Sequence, residues 1–365
     1  MTDNPYQQLA TRLNELPDGF PPTESGVELR LLAKLFSPEE AAIAAVLHKT
    51  PEPAGTIAER AGLGRKEART LLKGLGRRGM ITIARIEGGL GYALMPFAVG
   101  FYEHHGPSID AEFAQLFEEY YQQALPPLLR VEPAVHRVLP VGESIQTELG
   151  IKPLESAVDL VNRMKSWGVM DCICRKQKAL IGEGCDHPLD VCMTLSETEG
   201  AYDDRPDIRT LTKEEALATL RRAAEAGLVH SVSNTRNGMW EERGFGHYIC
   251  NCCTCSCAIL RGMAESGAPA VVARSSFICQ VDEASCIACG ECEERCPFGA
   301  IAVGDVAVVD GIRCVGCGVC TLACPQDALD LVRRPENEIT PVPENEGEWE
   351  RQRAVARGMD PDLIL

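Results

Sequence analysis

The sequence predicts a multidomain α+β protein, and three observations lead there. At 365 residues the chain has room for two or three domains of roughly 150 residues each. All 18 cysteines fall between Cys172 and Cys324, so the stretch before them is built for another task. Helical and hairpin patterns occupy the N-terminal part, whereas a doubled cysteine motif occupies the C-terminal part.

Composition sets the outer bounds. Hydrophobic residues make up 45% and charged residues 24%, close to the average of folded proteins, which confines expected disorder to the ends. A formal charge of −17 argues against a surface built as a whole for nucleic acid or anionic membrane. No run reaches the roughly 18 to 20 apolar residues of a membrane span. The opening MTDNPYQQLATRLNEL lacks a basic segment followed by an apolar core, so a cytoplasmic location is expected. The cytosol keeps thiols reduced, which makes the cysteines metal ligands rather than a disulfide framework.

Residues 1–36 read as an N-terminal arm, with a Pro-rich turn at Pro17 to Pro22 and an apolar run from Leu29 to Leu35. Ser37 with Glu40 forms a capping box, and Ala41, Ile43, Ala44, Val46 and Leu47 give a helical stripe. A second helix covers Thr56 to Ala61, Gly62-Leu63-Gly64 turns the chain, and a third helix runs from Arg65 to about Arg78, ended by Gly79. ITIARI and LGYAL, joined by Glu87-Gly88-Gly89, read as a hairpin. This order over residues 37–100 resembles a winged helix-turn-helix domain.

Residues 101–168 read as a helical connector. Ile109, Phe113, Leu116, Phe117, Tyr120, Tyr121 and Leu125 share one helical face, a packing face, and Pro126-Pro127 is expected to stop the helix. An amphipathic segment follows from Leu154 to Trp167. Residues 169–280 read as a mainly helical cysteine-rich domain, in which Thr212 with Glu215 caps a helix ending near Gly227. The β-like LVHSVSN after it carries His230, expected to be a packing residue.

The strongest pattern is Cys286-x2-Cys289-x2-Cys292-x3-Cys296-Pro297, repeated 28 residues later as Cys314-x2-Cys317-x2-Cys320-x3-Cys324-Pro325. Ala300-Ile301 corresponds to Ala328-Leu329, and AVGDVAVVDGIR reads as a hairpin joining two pseudo-symmetric halves. Three thiolates spaced by two residues can wrap one face of an iron-sulfur cube, while the fourth, followed by proline, points toward the other cube. Residues 281–333 thus resemble the bacterial two-cluster ferredoxins. That resemblance implies one 4Fe-4S cluster on Cys286, Cys289, Cys292 and Cys324, and a second on Cys314, Cys317, Cys320 and Cys296. Zinc sites pair simpler hooks and fit this spacing less well.

Nine further cysteines form two upstream groups: Cys172, Cys174, Cys185 and Cys192, then Cys250, Cys252, Cys253, Cys255 and Cys257. Five thiols within eight residues invite oxidation unless coordinated, so one or two more 4Fe-4S clusters are expected ahead of zinc, with the ligand assignment open. A redox-active or persulfide-carrying thiol group is the alternative. His187 is a candidate ligand or a turn-capping residue. Arg175 either offsets cluster charge or pairs with a carboxylate. Cys279 stands apart as a buried free thiol.

Over most of its length the chain resembles multidomain iron-sulfur proteins of anaerobic microorganisms. The residues that carry this are MPFAVGFYE, CICR, GEGCDHPLDVC, EALATLRRAAEAGLVHSVSN, ICNCC and the terminal motif pair. The resemblance implies electron transfer and leaves the substrate open. Members often read NCCGCC where this chain has Cys252-Cys253-Thr254-Cys255-Ser256-Cys257, a departure that leaves the ligands there unassigned.

Between Pro51 and Arg85, eight basic residues face three acidic ones. In a DNA-reading winged helix Arg65, Lys66, Arg69 and Lys73 would lie against phosphates and bases; in a docking module the same face would meet an acidic protein. The favoured expectation is an electron carrier docking a redox partner such as a flavoprotein or another oxidoreductase, ahead of a redox-responsive DNA-binding regulator. Residues 334–365 form an acidic, Pro-containing tail with a helical stretch from Trp349 to Arg357, either disordered alone or wrapped on a partner.

Overall fold

The computed structural model describes residues 4–141, 155–205, 207–236, 247–266 and 271–363. Its N-terminal part grows from helices whose ends are set by local chemistry. The Asn4 side chain accepts from the Tyr6 N–H to open α1 (Pro5–Asn14), and α2 (Val27–Leu35) follows. The Ser37 hydroxyl accepts from the Glu40 N–H while the Glu40 carboxylate accepts from the Ser37 N–H. This reciprocal cap starts α3 (Pro38–Ala44). α4 (Ala54–Ala61) and α5 (Arg65–Arg77) complete the helices. Leu9, Leu13, Leu31 and Leu32 are buried in one core with Ile43, Ile57 and Leu72. The described part of residues 1–36 is therefore a wall of this core, not an arm, because its leucines recur at helical spacing.

The hairpin forms as β2 (Thr82–Ile86) and β3 (Gly89–Ala93), and β1 (Glu52–Pro53), between α3 and α4, joins it in the antiparallel order β1-β3-β2. After α6 (Tyr102–His104), α7 (Ala111–Leu129) starts on Asp110, whose side chain accepts from the Phe113 N–H at 2.7 Å. Contrary to expectation, Pro126 and Pro127 do not stop α7, which continues to Leu129. The carbonyls that lose a donor belong to Gln122 and Gln123, both exposed, where water can replace the missing bonds.

The cysteine-rich middle also departs from expectation: a six-stranded antiparallel sheet, not helix, is its frame. The strands are β4 (His136–Leu139), β5 (Ser166–Asp171), β6 (Asp190–Ser196), β7 (Arg209–Leu211), β8 (Val229–Ser233) and β9 (His247–Cys252), in the order β4-β8-β9-β6-β5-β7. β6 alternates strictly, burying Val191, Met193 and Leu195. On one face α8 (Ala157–Arg163) and α10 (Lys213–Glu225) pack Leu160, Val161, Ala216 and Leu220 against Val169, Met193, Leu195 and Ile249. Cys192, Cys250 and Cys252 alternate with these residues and so take the other face. His230 packs within the sheet, its Nδ1 2.5 Å from Asn251 Oδ1, as its expected packing role requires.

α9 (Ile173–Leu180) and α11 (Ala258–Ser266) flank the thiol face. In the C-terminal unit β10 (Phe277–Val281) pairs with β13 (Leu329–Arg333), while β11 (Ile301–Val303) and β12 (Ala307–Val309) form the linking hairpin beyond α12 (Glu291–Arg295). The tail docks on its own chain. α13 (Glu346–Ala356) buries Trp349, whose Nε1 donates to the Ala134 carbonyl at 3.0 Å. Arg353 donates to the carbonyls of Pro17, Leu128 and Pro133 at 3.1, 2.9 and 3.0 Å. Among the described residues no helix is long and apolar enough to cross a membrane.

Candidate metal centres

Backbone conformation builds the C-terminal sites. Ala288 (φ 52°) and Gly290 (φ 87°) lie left-handed between the first three motif cysteines, and Gly316 (φ 69°) and Gly318 (φ 78°) repeat this 28 residues later. Such alternation turns successive N–H groups inward to make an anion-binding concavity. Gly316 is irreplaceable on space as well, because a Cβ there would collide with the Phe277 carbonyl oxygen. The Ala328 N–H donates to Cys324 Sγ and the Ala300 N–H to Cys296 Sγ, both at 3.3 Å. These paired bonds are the two-fold repeat of the sequence expressed in space.

The long-range grouping is crossed. Cys286, Cys289, Cys292 and Cys324 line one small cavity with Ala307 and Ala328. Burial pushes the thiols of Cys296, Cys314 and Cys317 up, with the field of Cys320 adding to each; the same field reaches Cys292, so the remaining four thiols lie close beside the first group. Two sets of four thiols with backbone N–H groups aimed at sulfur fit the donor set of a pair of 4Fe-4S clusters. The first group is the shallower: Cys289 is exposed, and neighbouring Ile287 is 60% exposed. Cys279 is buried as expected yet does not stand apart. The pairing of β10 with β13 carries it to 3.7 Å from Cys320 Sγ.

The nine upstream thiols divide into two groups. Cys174 acts on the thiols of Cys172 and Cys257, Cys257 acts on that of Cys252, and the field of Cys172 reaches Cys252, so these four are neighbours in a ring. Cys250 and Cys192 extend from Cys252 along the sheet. All six, together with Cys253, line a cavity of about 100 Å³ between the sheet and the N-terminal core. Within the ring Cys174 holds the Cys257 thiol well below its ordinary range and the Cys172 thiol down to about 7. Cys185, Cys253 and Cys255 form the other group, with all three sulfurs within 4.8 Å of one another. His187 lies nearby but is no member of this set.

Arg175 is buried against the ring and donates to the carbonyls of Pro188 and Asn251 at 2.9 and 2.6 Å. Burial opposes its charge, but Cys172, Cys253 and Cys252 outweigh that and hold it protonated. Of the two roles expected for it, the geometry places it beside thiols and carbonyls. Sequence reasoning missed three other groups at this cavity. Burial lowers the His136 imidazole to about 4, and its Nε2 has no hydrogen-bond partner among the described residues. The Tyr102 hydroxyl is likewise buried without a partner among the described residues. Burial pushes the Glu103 carboxyl up to about 8, even though it accepts from the Gly100 N–H at 2.6 Å. The run MPFAVGFYE held the signal for the last two, with two polar residues ending an apolar stretch.

On α5 Arg65, Lys66 and Arg69 are exposed and Lys73 is half-buried. Arg65 pairs with Glu59 at 3.2 Å, both well exposed, a contact worth roughly 0–1 kcal/mol.

Residues 285–329 match the 4Fe-4S dicluster domain family. The match spans all eight motif cysteines and leaves the upstream nine outside it. Neither the curated proteins nor the solved structures contain a match. The chain therefore carries a ferredoxin-type 4Fe-4S domain at its C-terminal side, joined to a sheet domain with its own thiol groups.

Proposed function

We propose that this chain is an electron-transfer protein of anaerobic metabolism that carries three 4Fe-4S clusters and serves a partner oxidoreductase such as a flavoprotein. The observation that carries the reading is the crossed grouping, in which Cys324 stands with Cys286, Cys289 and Cys292. On this reading those four residues ligate one cluster, Cys314, Cys317, Cys320 and Cys296 a second, and the ring of Cys172, Cys174, Cys252 and Cys257 a third. When bound, clusters of this class take up and release single electrons.

The chain supplies the rest. Inward N–H groups hold the thiolates as anions, and burial of Cys314, Cys317 and Cys320 excludes water from the second group. Exposed Cys289 and Ile287 offer a partner the shortest approach. Arg175 places a positive charge against the ring. We assign α3 to α5 with their hairpin as a winged helix whose exposed Arg65, Lys66 and Arg69 dock an acidic partner. The same face supports a second reading, a DNA-binding regulator, which salt-sensitive DNA binding abolished by Arg65→Glu/Arg69→Glu would favour.

An anaerobic redox titration followed by electron paramagnetic resonance tests the proposal. Three reducible centres are expected. Arg175→Gln lowers the potential of one by on the order of 60 mV, a tenfold change in a one-electron equilibrium, and leaves the ferredoxin-domain pair in place. Two centres, both indifferent to Arg175, would reject the third cluster.

A further inference from the structure

We propose that Cys185, Cys253 and Cys255 bind a single divalent ion of the zinc class, separate from the clusters, with the fourth coordination position taken by an exchangeable water. Three thiolates bound to one tetrahedral ion at about 2.3 Å must stand about 3.8 Å from one another. Cys185 and Cys253 lie 4.0 Å apart, and all three sulfurs lie within 4.8 Å of each other. Thiolates that each bind a different iron of a cube must stand farther apart than thiolates sharing one ion.

The rest of the molecule provides an internal control. Among the described residues, no other three His, Cys, Asp or Glu side chains bring their ligand atoms within this distance. Neither the ferredoxin quartets nor the ring of four contains such a triad. Single-ion spacing is therefore a property of this triad and not of cysteine-rich segments in general.

Three features define the fourth position. The set contains no fourth His, Cys, Asp or Glu ligand among the described residues. Cys255 is exposed, so one side of the site faces solvent. The buried Ser256 hydroxyl, 3.4 Å from Cys185 Sγ, is placed to donate to that thiolate. Three protein ligands plus water is the open arrangement of zinc sites that exchange ligands, whereas structural zinc sites close with four. The ion would also fasten two parts of the fold. Cys253 and Cys185 pack with Ala223 and Ala226 at the end of α10, where Arg295, next to motif residue Cys296, donates to the Ala224 carbonyl at 3.0 Å.

The site does not depend on the electron-transfer reading, and its test separates the two. The full chain, produced with zinc in the medium and purified without oxygen, is expected to retain about one zinc per chain, with an X-ray absorption spectrum of three sulfurs at about 2.3 Å and one oxygen. Cys255→Ser and Cys185→Ser should lose zinc and keep iron and the visible spectrum, while Cys174→Ser should lose iron and keep zinc. Loss of iron in Cys255→Ser, zinc bound by four sulfurs, or absence of zinc from the unmodified protein would each overturn the site. The absorption spectrum needs no variant, so misfolding cannot mask the answer.

Discussion

Cys324→Ser lowers the iron content of the anaerobically purified chain by about four atoms, and adding Cys289→Ser lowers it no further. The two residues are 35 positions apart, yet both line the cavity of the first group, so either change dismantles one site. Cys296→Ser lies only seven positions from Cys289 but belongs with Cys320. Combined with Cys289→Ser it should remove about eight iron atoms. Non-additivity for the distant pair and additivity for the near pair is the signature of crossed ligation. Uncrossed sites would give the reverse pattern, which iron analysis of the two double variants distinguishes directly.

Trp349→Ala destabilises the folded protein by about 3–5 kcal/mol, the range for removing a buried Trp side chain. Trp349 is fully buried, with its indole N–H satisfied by the Ala134 carbonyl. Arg353→Ala has a comparable effect through a different cause, since it strands the buried carbonyl of Pro17 and the half-buried carbonyls of Leu128 and Pro133. The guanidinium lies 5.3 Å from the Trp349 ring centroid, so the double variant should lose less than the sum. Urea denaturation followed by circular dichroism checks these shifts. A change below about 0.5 kcal/mol for Trp349→Ala, the size expected at a surface position, would mean the tail is not docked in solution.

Legibility in the sequence followed the range of the interaction that decides each feature. Ser37 with Glu40 and Thr212 with Glu215 are contacts within one turn, and both capping boxes form as their spacing dictates. The cysteine repeat encodes its backbone turns locally through Ala288, Gly290, Gly316 and Gly318. The sheet was harder to read because thiols interrupt the apolar alternation of β6 and β9, where Cys192 and Cys250 stand among Val191, Met193 and Ile249. The helix of the tail was legible but its docking was not, since its anchors are backbone carbonyls far along the chain, which no side-chain pattern marks. Cys279 illustrates the same limit: its approach to Cys320 depends on β10 lying beside β13.

The upstream thiols divide for a related reason. Cys252 and Cys253 are adjacent and both reach the cavity, but Cys252 ends β9 while Cys253 lies just beyond it, packed with Val191, Ala223 and Leu228. The end of the strand thus separates neighbouring thiols, and the Cys-Cys dipeptide is informative only once that end is known.

The most direct test is iron and acid-labile sulfide per chain on the full protein purified without oxygen. Three clusters predict about twelve of each. About eight of each would confine the clusters to residues 285–329 and contradict the third cluster on Cys172, Cys174, Cys252 and Cys257.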